Sequence, residues 1–256
     1  MELFYREFGD KAAPLMMFIH GGGVSGWMWK KQAEHFQDYH IVIPDLPGHG
    51  GSGKMALTID GSARLLLELL EDKGKGKRTI AAGFSLGAQV LVAMLGMRPD
   101  LISDAMINSA LVKPMPLAKP LIRLMAAFHP LVRSRTFSKI QARSMYIDDE
   151  DFETYYRESR SMRKETFVAM MEENMSFAVP DRFGSAGCRM LATAGEKERA
   201  IMKRSLEELT RRNPNCKGLV VPGAGHGFSL AEPERFNRLV RRWLNGGEPS
   251  AEWLLP

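Results

Sequence analysis

Residues 79–97 read TIAAGFSLGAQVLVAMLGM, in which the pentapeptide GFSLG (83–87) joins two apolar runs. The first run has the length of a buried strand and the second has the length and spacing of a helix. Ser85 is therefore predicted to lie on a tight strand-to-helix turn, which needs small residues two positions to either side because larger side chains would collide there. Such a turn lifts the hydroxyl clear of the sheet at a helix N-terminus, where developing negative charge is favoured. The stretch predicts a nucleophilic serine.

The pattern around this turn is an alternation of short β-rich runs with longer helical runs. Because strands that alternate with helices pair in parallel and are covered on both faces, the alternation predicts an α/β fold with a mostly parallel sheet. An antiparallel edge strand is expected at 3–8. The predicted strands are 15–20, 41–44, 79–84, 105–108, 190–194 and 219–221, and the predicted helices are 26–36, 57–72, 86–97, 198–212 and 233–244.

Composition limits the classes of function. The 256 residues are 45% hydrophobic and 25% charged, which is typical of a globular protein, and the net charge of +5 comes from 35 basic residues interleaved with 30 acidic ones. We therefore expect no nucleic-acid partner. We expect no membrane partner either, because no apolar run approaches the roughly 20 residues of a membrane span. The first ten residues show no secretory leader, and the two cysteines fit a reducing compartment, so a cytoplasmic location is expected.

Residues 111–182 break the alternation, since they contain no strand pattern and include five prolines. They are predicted to form a helical insertion. Residues 111–143 carry seven basic residues and no acid, whereas residues 148–158 carry six acids and one arginine. We expect the two halves mainly to neutralise each other, and a cationic rim for anionic substrates is the alternative.

The residues that would complete a serine hydrolase site follow other predicted strands. A serine hydroxyl needs a base, an acid that orients the base, and amide donors for the oxyanion. HGGG (20–23) follows the first long strand, and the N–H groups of Gly22 and Gly23, with that of Leu86, are the candidate donors; a plain glycine-rich turn is the alternative. His226, in GAGHGF (223–228), follows the last strand and is the candidate base. An exposed loop histidine without a role is the alternative.

The orienting acid is expected in GEKE (195–198), which follows the strand at 190–194 and offers Glu196 and Glu198. Glu196 comes directly after the glycine and is expected to face solvent, so Glu198 is preferred and Glu196 remains open. The loop after the strand at 105–108 has no acid between Asn108 and Lys113.

Nearly the whole chain resembles the α/β-hydrolase superfamily. The resemblance is carried by five motifs in this order: HGGG, DLPGHGGSG (45–53), GFSLG, GEKE and GAGHGF. The resemblance implies that Ser85 is the nucleophile, His226 the base and Glu198 the acid, at a position where many members carry aspartate. It implies an oxyanion hole from Leu86 and the HGGG loop, a structural turn at 45–53, and no metal or organic cofactor. It also implies a hydrolase core at 1–110 and 183–256 with a helical lid at 111–182, hereafter the predicted lid.

The substrate-binding candidates come from the lid and from the segment after HGGG. Met115 and His129 lie in the predicted lid, which is rich in flexible methionines that suit an acyl or ring group. Trp27 and Trp29 follow the candidate oxyanion loop, with core packing as the alternative for both.

Three functions fit these residues. The leading hypothesis is a serine hydrolase of a small-molecule ester, thioester or lactone. The second is a C–C bond hydrolase, or a lyase or synthase, that uses the same three residues. The third is a hydrolase-like receptor that binds a small ligand with slow turnover. The sequence does not predict the oligomeric state.

Overall fold

The computed structural model describes residues 2–250. Within this range the strands are β1 (Tyr5–Phe8), β2 (Leu15–Ile19), β3 (His40–Pro44), β4 (Thr79–Phe84), β5 (Asp104–Asn108), β6 (Arg189–Gly195) and β7 (Cys216–Val221). They form one sheet in the order β1-β3-β2-β4-β5-β6-β7. β1 pairs antiparallel with β3, and all the other pairs are parallel. The prediction of a mostly parallel sheet with an antiparallel edge is confirmed.

The helices connect these strands and cover both faces of the sheet. The α-helices are α1 (Lys30–His35), α2 (Ile59–Gly74), α3 (Leu86–Met97), α4 (Ala118–Phe128), α5 (Arg135–Ser144), α6 (Phe152–Ser161), α7 (Lys164–Ser176), α8 (Ala200–Arg212), α9 (Phe228–Ala231) and α10 (Pro233–Leu244). Short 3-10 helices span Gly26–Trp29, Gly50–Ser52, His129–Arg133 and Asp181–Ser185.

The core lies on both faces of the sheet, as β2 illustrates. All five residues of β2 are fully buried, which is why it reads as a continuous apolar run. Leu15 and Met17 join the cluster formed with α2, α3 and α8, while Met16 and Phe18 join the cluster formed with α1 and α10. The carboxyl ends of the parallel strands therefore meet at one edge of a fully packed sheet.

Three predicted helices have different bounds in the structure: the helix predicted at 198–212 begins at Ala200, and the other two differ for local reasons. The helix predicted at 26–36 begins as a 3-10 turn, because the Gly26 N–H donates to the Asp45 carboxylate at 2.8 Å and the Met28 N–H bonds back to the Ser25 carbonyl at 3.1 Å. The helix predicted at 57–72 begins at Ile59, where the preceding threonine caps it by accepting the Gly61 N–H at 2.9 Å.

The predicted lid contains α4 to α7 and no strand. Its division from the core at residues 111 and 182 stays a prediction. Among the residues that the structure describes, no helix is both long enough and apolar enough to cross a bilayer. Cys188 and Cys216 are free, and burial raises their pKa values to about 11 and about 12.

Candidate active site

Ser85 occupies the turn between β4 and α3 with φ at +52°, a backbone conformation that non-glycine residues rarely adopt. Its N–H donates to the Asn108 carbonyl at 2.9 Å, which fixes the turn to the end of β5. A Cβ on Gly83 would lie 2.4 Å from the Gly87 carbonyl oxygen, and a Cβ on Gly87 would lie 2.3 Å from that of Ile19. Both glycines are thus required by backbone contacts, as expected for a strained turn that presents a side chain.

His226 reaches this serine from the loop after β7. Its Nε2 lies 3.0 Å from the Ser85 Oγ, and its ring lies 5.1 Å from the ring of Phe84, centroid to centroid. Tyr146 packs closely against this loop, since a Cβ on Gly225 would lie 2.5 Å from the Tyr146 hydroxyl. The imidazole is half exposed, so one side of it is open to a reacting molecule.

Glu198 completes a hydrogen-bonded chain with the histidine. Its Oε2 lies 2.8 Å from the His226 Nδ1, and its Oε1 accepts the Ser109 hydroxyl and the Gly195 N–H, both at 2.7 Å. Burial raises the pKa of this carboxyl, but the hydrogen bonds outweigh burial and hold the pKa below its usual value. Because the carboxylate only accepts, it places the proton of a neutral imidazole on Nδ1 and leaves Nε2 to accept from Ser85.

Glu196 has a different partner. Its Oε2 accepts the Gly223 N–H at 2.7 Å, and the residue is exposed. Of the two carboxylates that the sequence left open, the structure brings Glu198 to the histidine, while Glu196 ties its own loop to the loop after β7.

Ser109 is a residue that the sequence analysis missed. It follows β5 directly with φ at +57°, and its N–H donates to the Thr193 carbonyl at 2.9 Å, which aims the hydroxyl at the Glu198 carboxylate. Its position after a predicted strand, at the edge where the other site residues lie, was the available signal.

The candidate oxyanion amides are not equivalent. The Gly23 N–H donates to the His49 Nε2 at 3.2 Å, so it is already occupied and the prediction for Gly23 is wrong. Within residues 2–250, the Gly22 and Leu86 N–H groups donate no hydrogen bond to the protein. A Cβ on Gly22 would lie 2.9 Å from the Met170 Sδ and 3.7 Å from the Leu86 Cδ2, so the Met170 side chain of α7 packs directly against Gly22.

The turn after β3 supports the oxyanion loop. His20 is fully buried, its Nε2 accepts the Leu46 N–H at 2.8 Å, and burial lowers its pKa to about 3, so the ring is neutral. Asp45, also fully buried, accepts the N–H groups of Gly26 and Gly51 at 2.8 Å. Hydrogen bonds from residues 45–53 thus hold the HGGG loop in place.

The two tryptophans predicted to bind substrate lie in different environments. Trp29 is fully buried, with its ring 5.1 Å from Phe18 and 5.7 Å from Phe236, so it belongs to the core and that prediction is wrong. Trp27 donates its indole N–H to Glu158 at 2.9 Å, on the outer side of the loop.

Met115 and His129 stay predictions, because no described contact joins either of them to Ser85. The Met115 N–H donates to the Met175 carbonyl at 2.8 Å, and the His129 ring packs 5.2 Å from that of Phe167. Met145, Tyr146 and Met170 of the predicted lid lie next to glycines of the HGGG loop and of the His226 loop. In the described part of the chain, no three His, Cys, Asp or Glu side chains are grouped as a metal site.

Comparison with known proteins identifies the family and the fold. A family model described as the Alpha/beta hydrolase family matches residues 16–239. An AB hydrolase superfamily protein of Gibberella zeae is 22% identical over 253 residues, which cover 94% of this chain and 83% of that protein. The (E)-2-((N-methylformamido)methylene)succinate hydrolase of Acinetobacter baylyi is 23% identical and covers 94% and 93% of the two chains. A thermophilic esterase from Thermogutta terrifontis, 22% identical, has a similar structure with a TM-score of 0.76 over 95% of this chain and 93% of its own.

Proposed function

The chain belongs to the alpha/beta hydrolase family, and on that premise we propose that it is a serine hydrolase that cleaves a small ester, thioester or lactone through an acyl-enzyme on Ser85. The single observation that carries the proposal is the hydrogen-bonded chain from Glu198 through His226 to Ser85. These residues come from three separate loops, and structural packing alone does not require them to meet at these distances.

The proposed reaction begins with proton transfer. The His226 Nε2 takes the proton of the Ser85 hydroxyl as the oxygen attacks the substrate carbonyl, and the Gly22 and Leu86 N–H groups donate to the oxyanion that forms. Glu198 stabilises the imidazolium and stays ionised, in line with its lowered pKa. His226 then returns the proton to the leaving oxygen or sulfur. Water attacks the acyl-enzyme by the same steps and releases the acid and free Ser85.

We further propose that the predicted lid limits the size of the acyl group. Met145 and Met170 lie next to the oxyanion loop, and Tyr146 lies against the loop of His226. Methionine side chains are flexible and apolar, so they would accommodate an aliphatic or aromatic acyl chain without a fixed shape.

Labelling with a fluorophosphonate, followed by p-nitrophenyl esters and thioesters of graded chain length, tests the proposal. We expect covalent labelling of wild type but not of Ser85→Ala, and a turnover number for Ser85→Ala lower by about 10⁴ or more. Wild-type rates in Ser85→Ala would refute the serine mechanism. Labelling of Ser85 with no brisk turnover on any ester would instead favour a receptor or a C–C bond reaction that uses the same residues.

A further inference from the structure

Exposed large apolar side chains are concentrated on one part of the predicted lid. Of the eleven in residues 2–250, seven lie between residues 117 and 140. Leu117 precedes α4, and on the helix Leu121, Leu124 and Phe128 recur at intervals of three and four residues, which places them on one side, opposite the buried Ile122 and Ala126. We call this set the outer stripe; it consists of Leu117 (80% exposed), Leu121 (37%), Leu124 (56%) and Phe128 (56%).

The apolar exposure continues past α4. Leu131 lies in the following 3-10 helix, and Phe137 and Ile140 lie on α5, away from its buried Ser138 and Ala142. Both helices thus bury one face on the protein and leave a second apolar face in solvent. Soluble proteins rarely expose apolar side chains in such continuous sets without a partner.

The basic residues of this segment are only partly neutralised, contrary to the expectation that the two halves of the lid cancel. Lys113 pairs with Glu208, Arg135 with Glu153, and Lys139 with Asp149. Two of the acids expected to neutralise these basic residues pair with lysines of α1 instead: Asp148 lies near Lys31 and Glu150 lies near Lys30. Within the described residues, four exposed cations of the segment have no ion pair: Lys119, Arg123, Arg133 and Arg143.

We propose that the outer stripe is an interfacial surface that docks on an anionic lipid bilayer, with Lys119 and Arg123 meeting the headgroups and Leu121, Leu124 and Phe128 entering the acyl boundary. Lys119 and Arg123 lie on the other side of α4 from the outer stripe, and helices with an apolar side and Lys or Arg on the other side lie in the plane of a membrane interface. The proposal concerns contact with a surface and not a span. It differs from the sequence-based expectation of no membrane partner, which rested on the absence of a long apolar run and stays a prediction.

The charges favour this occupant over a second copy of the chain. Residues 111–143 contain no acid, so two outer stripes brought face to face would place unpaired cations of both copies close together. An anionic lipid surface supplies the opposite charge and accepts apolar side chains without a shape requirement.

The test is sedimentation of the full chain with vesicles of phosphatidylcholine, alone or mixed with phosphatidylglycerol. The chain carries Ser85→Ala throughout so that lipid hydrolysis plays no part. We expect binding to the mixed vesicles, weakened by salt, and weakened about 25-fold in K119Q/R123Q, at about fivefold for each cation. L121S/L124S is expected to weaken binding by about tenfold or more. The matched control is R204Q/R238Q, which removes two exposed unpaired arginines from α8 and α10 of the core.

Equal losses in R204Q/R238Q and K119Q/R123Q would show binding by net charge alone and overturn the proposal. Absence of binding, or binding unaffected by L121S/L124S, would overturn it as well. A concentration-dependent dimer lost in L121S/L124S, with no vesicle binding, would assign the outer stripe to a second copy. The same surface variants are also made with Ser85 intact, and their esterase rates check folding. The vesicle test does not depend on hydrolase activity, so a failure of the proposed hydrolase function would leave its result unaffected.

Discussion

Replacement of Glu198 by glutamine should disable the site through the proton position on His226. The Glu198 Oε1 accepts the backbone N–H of Gly195, a donor that cannot turn away. A glutamine must therefore place its carbonyl oxygen there and turn its NH₂ group towards the His226 Nδ1. Since NH₂ can only donate, the ring must carry its proton on Nε2, and that nitrogen can no longer take the proton of Ser85.

The structure also gives the size of the effect. The positive charge that forms on the imidazole lies 2.8 Å from the carboxylate, an attraction of about 6 kcal/mol at an effective dielectric constant of about 20. Solvent reduces this value because His226 is half exposed. The loss of the charge and of the correct tautomer together should lower kcat by about 10³ to 10⁴, or about 4 to 5.5 kcal/mol, with KM nearly unchanged.

The assay is steady-state hydrolysis of a p-nitrophenyl ester, with ¹⁵N NMR of His226 to locate the ring proton. Glu196→Gln is the matched control, because Glu196 lies two residues nearer to the end of β6 in the same loop and, within residues 2–250, its carboxylate bonds Gly223 and not His226. It should retain wild-type kcat within about threefold. Full turnover in Glu198→Gln, or equal losses in the two variants, would refute the reasoning.

Three further changes test the surroundings. Ser109→Ala removes one hydrogen bond to the Glu198 carboxylate and should lower kcat about tenfold, measured in the same ester assay; an unchanged kcat would contradict the support that we assign to it. Gly83→Ala places a Cβ 2.4 Å from a backbone oxygen and should lower the free energy of unfolding, measured with urea, by about 3 kcal/mol or more. The control Gly187→Ala, with no atom within 4 Å of the new Cβ, should leave this free energy nearly unchanged. The pKa of His20 falls from 6.5 to about 3 in the folded state, so its contribution to stability is complete above pH 6.5 and is lost on acidification, by about 2 kcal/mol at pH 5. His20→Gln should flatten that part of the stability profile, and an unchanged pH slope would show that other groups dominate it.

The parts of the molecule that local patterns specify were predictable from the sequence. β4, the turn at Ser85 and α3 follow from the length of two apolar runs and the two glycines between them, and the structure places both elements at the predicted residues. The parallel sheet follows from the alternation of strands and helices. These features depend on residues close together in the chain.

The predictions that failed concern residues whose contacts are made with residues distant in the sequence. Gly23 lost its predicted role because His49, 26 residues away, accepts its N–H. Trp29 was misplaced because the segment from Gly26 is a 3-10 turn held by Asp45, which directs side chains differently from the predicted α-helix. Ser109 was not predicted because its role depends on Glu198, which follows the neighbouring strand β6.

The helices of the predicted lid are tied to the core unevenly. In α7, the Asn174 side chain donates to the Gln89 side chain at 2.9 Å and the Glu173 carboxylate accepts the Ile59 N–H at 2.5 Å, and in α6 Glu158 bonds Trp27. For α4 and α5, the side-chain hydrogen bonds in the described part of the chain stay within the predicted lid.

In mechanical terms we expect the predicted lid to be stiff on the side of α7 and compliant on the side of α4 and α5. Thermal motion, or contact with a surface, should displace α4 and α5 while α7 keeps Met170 over the oxyanion loop. A substrate should therefore enter from the side of α4. Substitutions that change the rate of access should cluster there, and those that change the fit of the bound acyl group should cluster along α7.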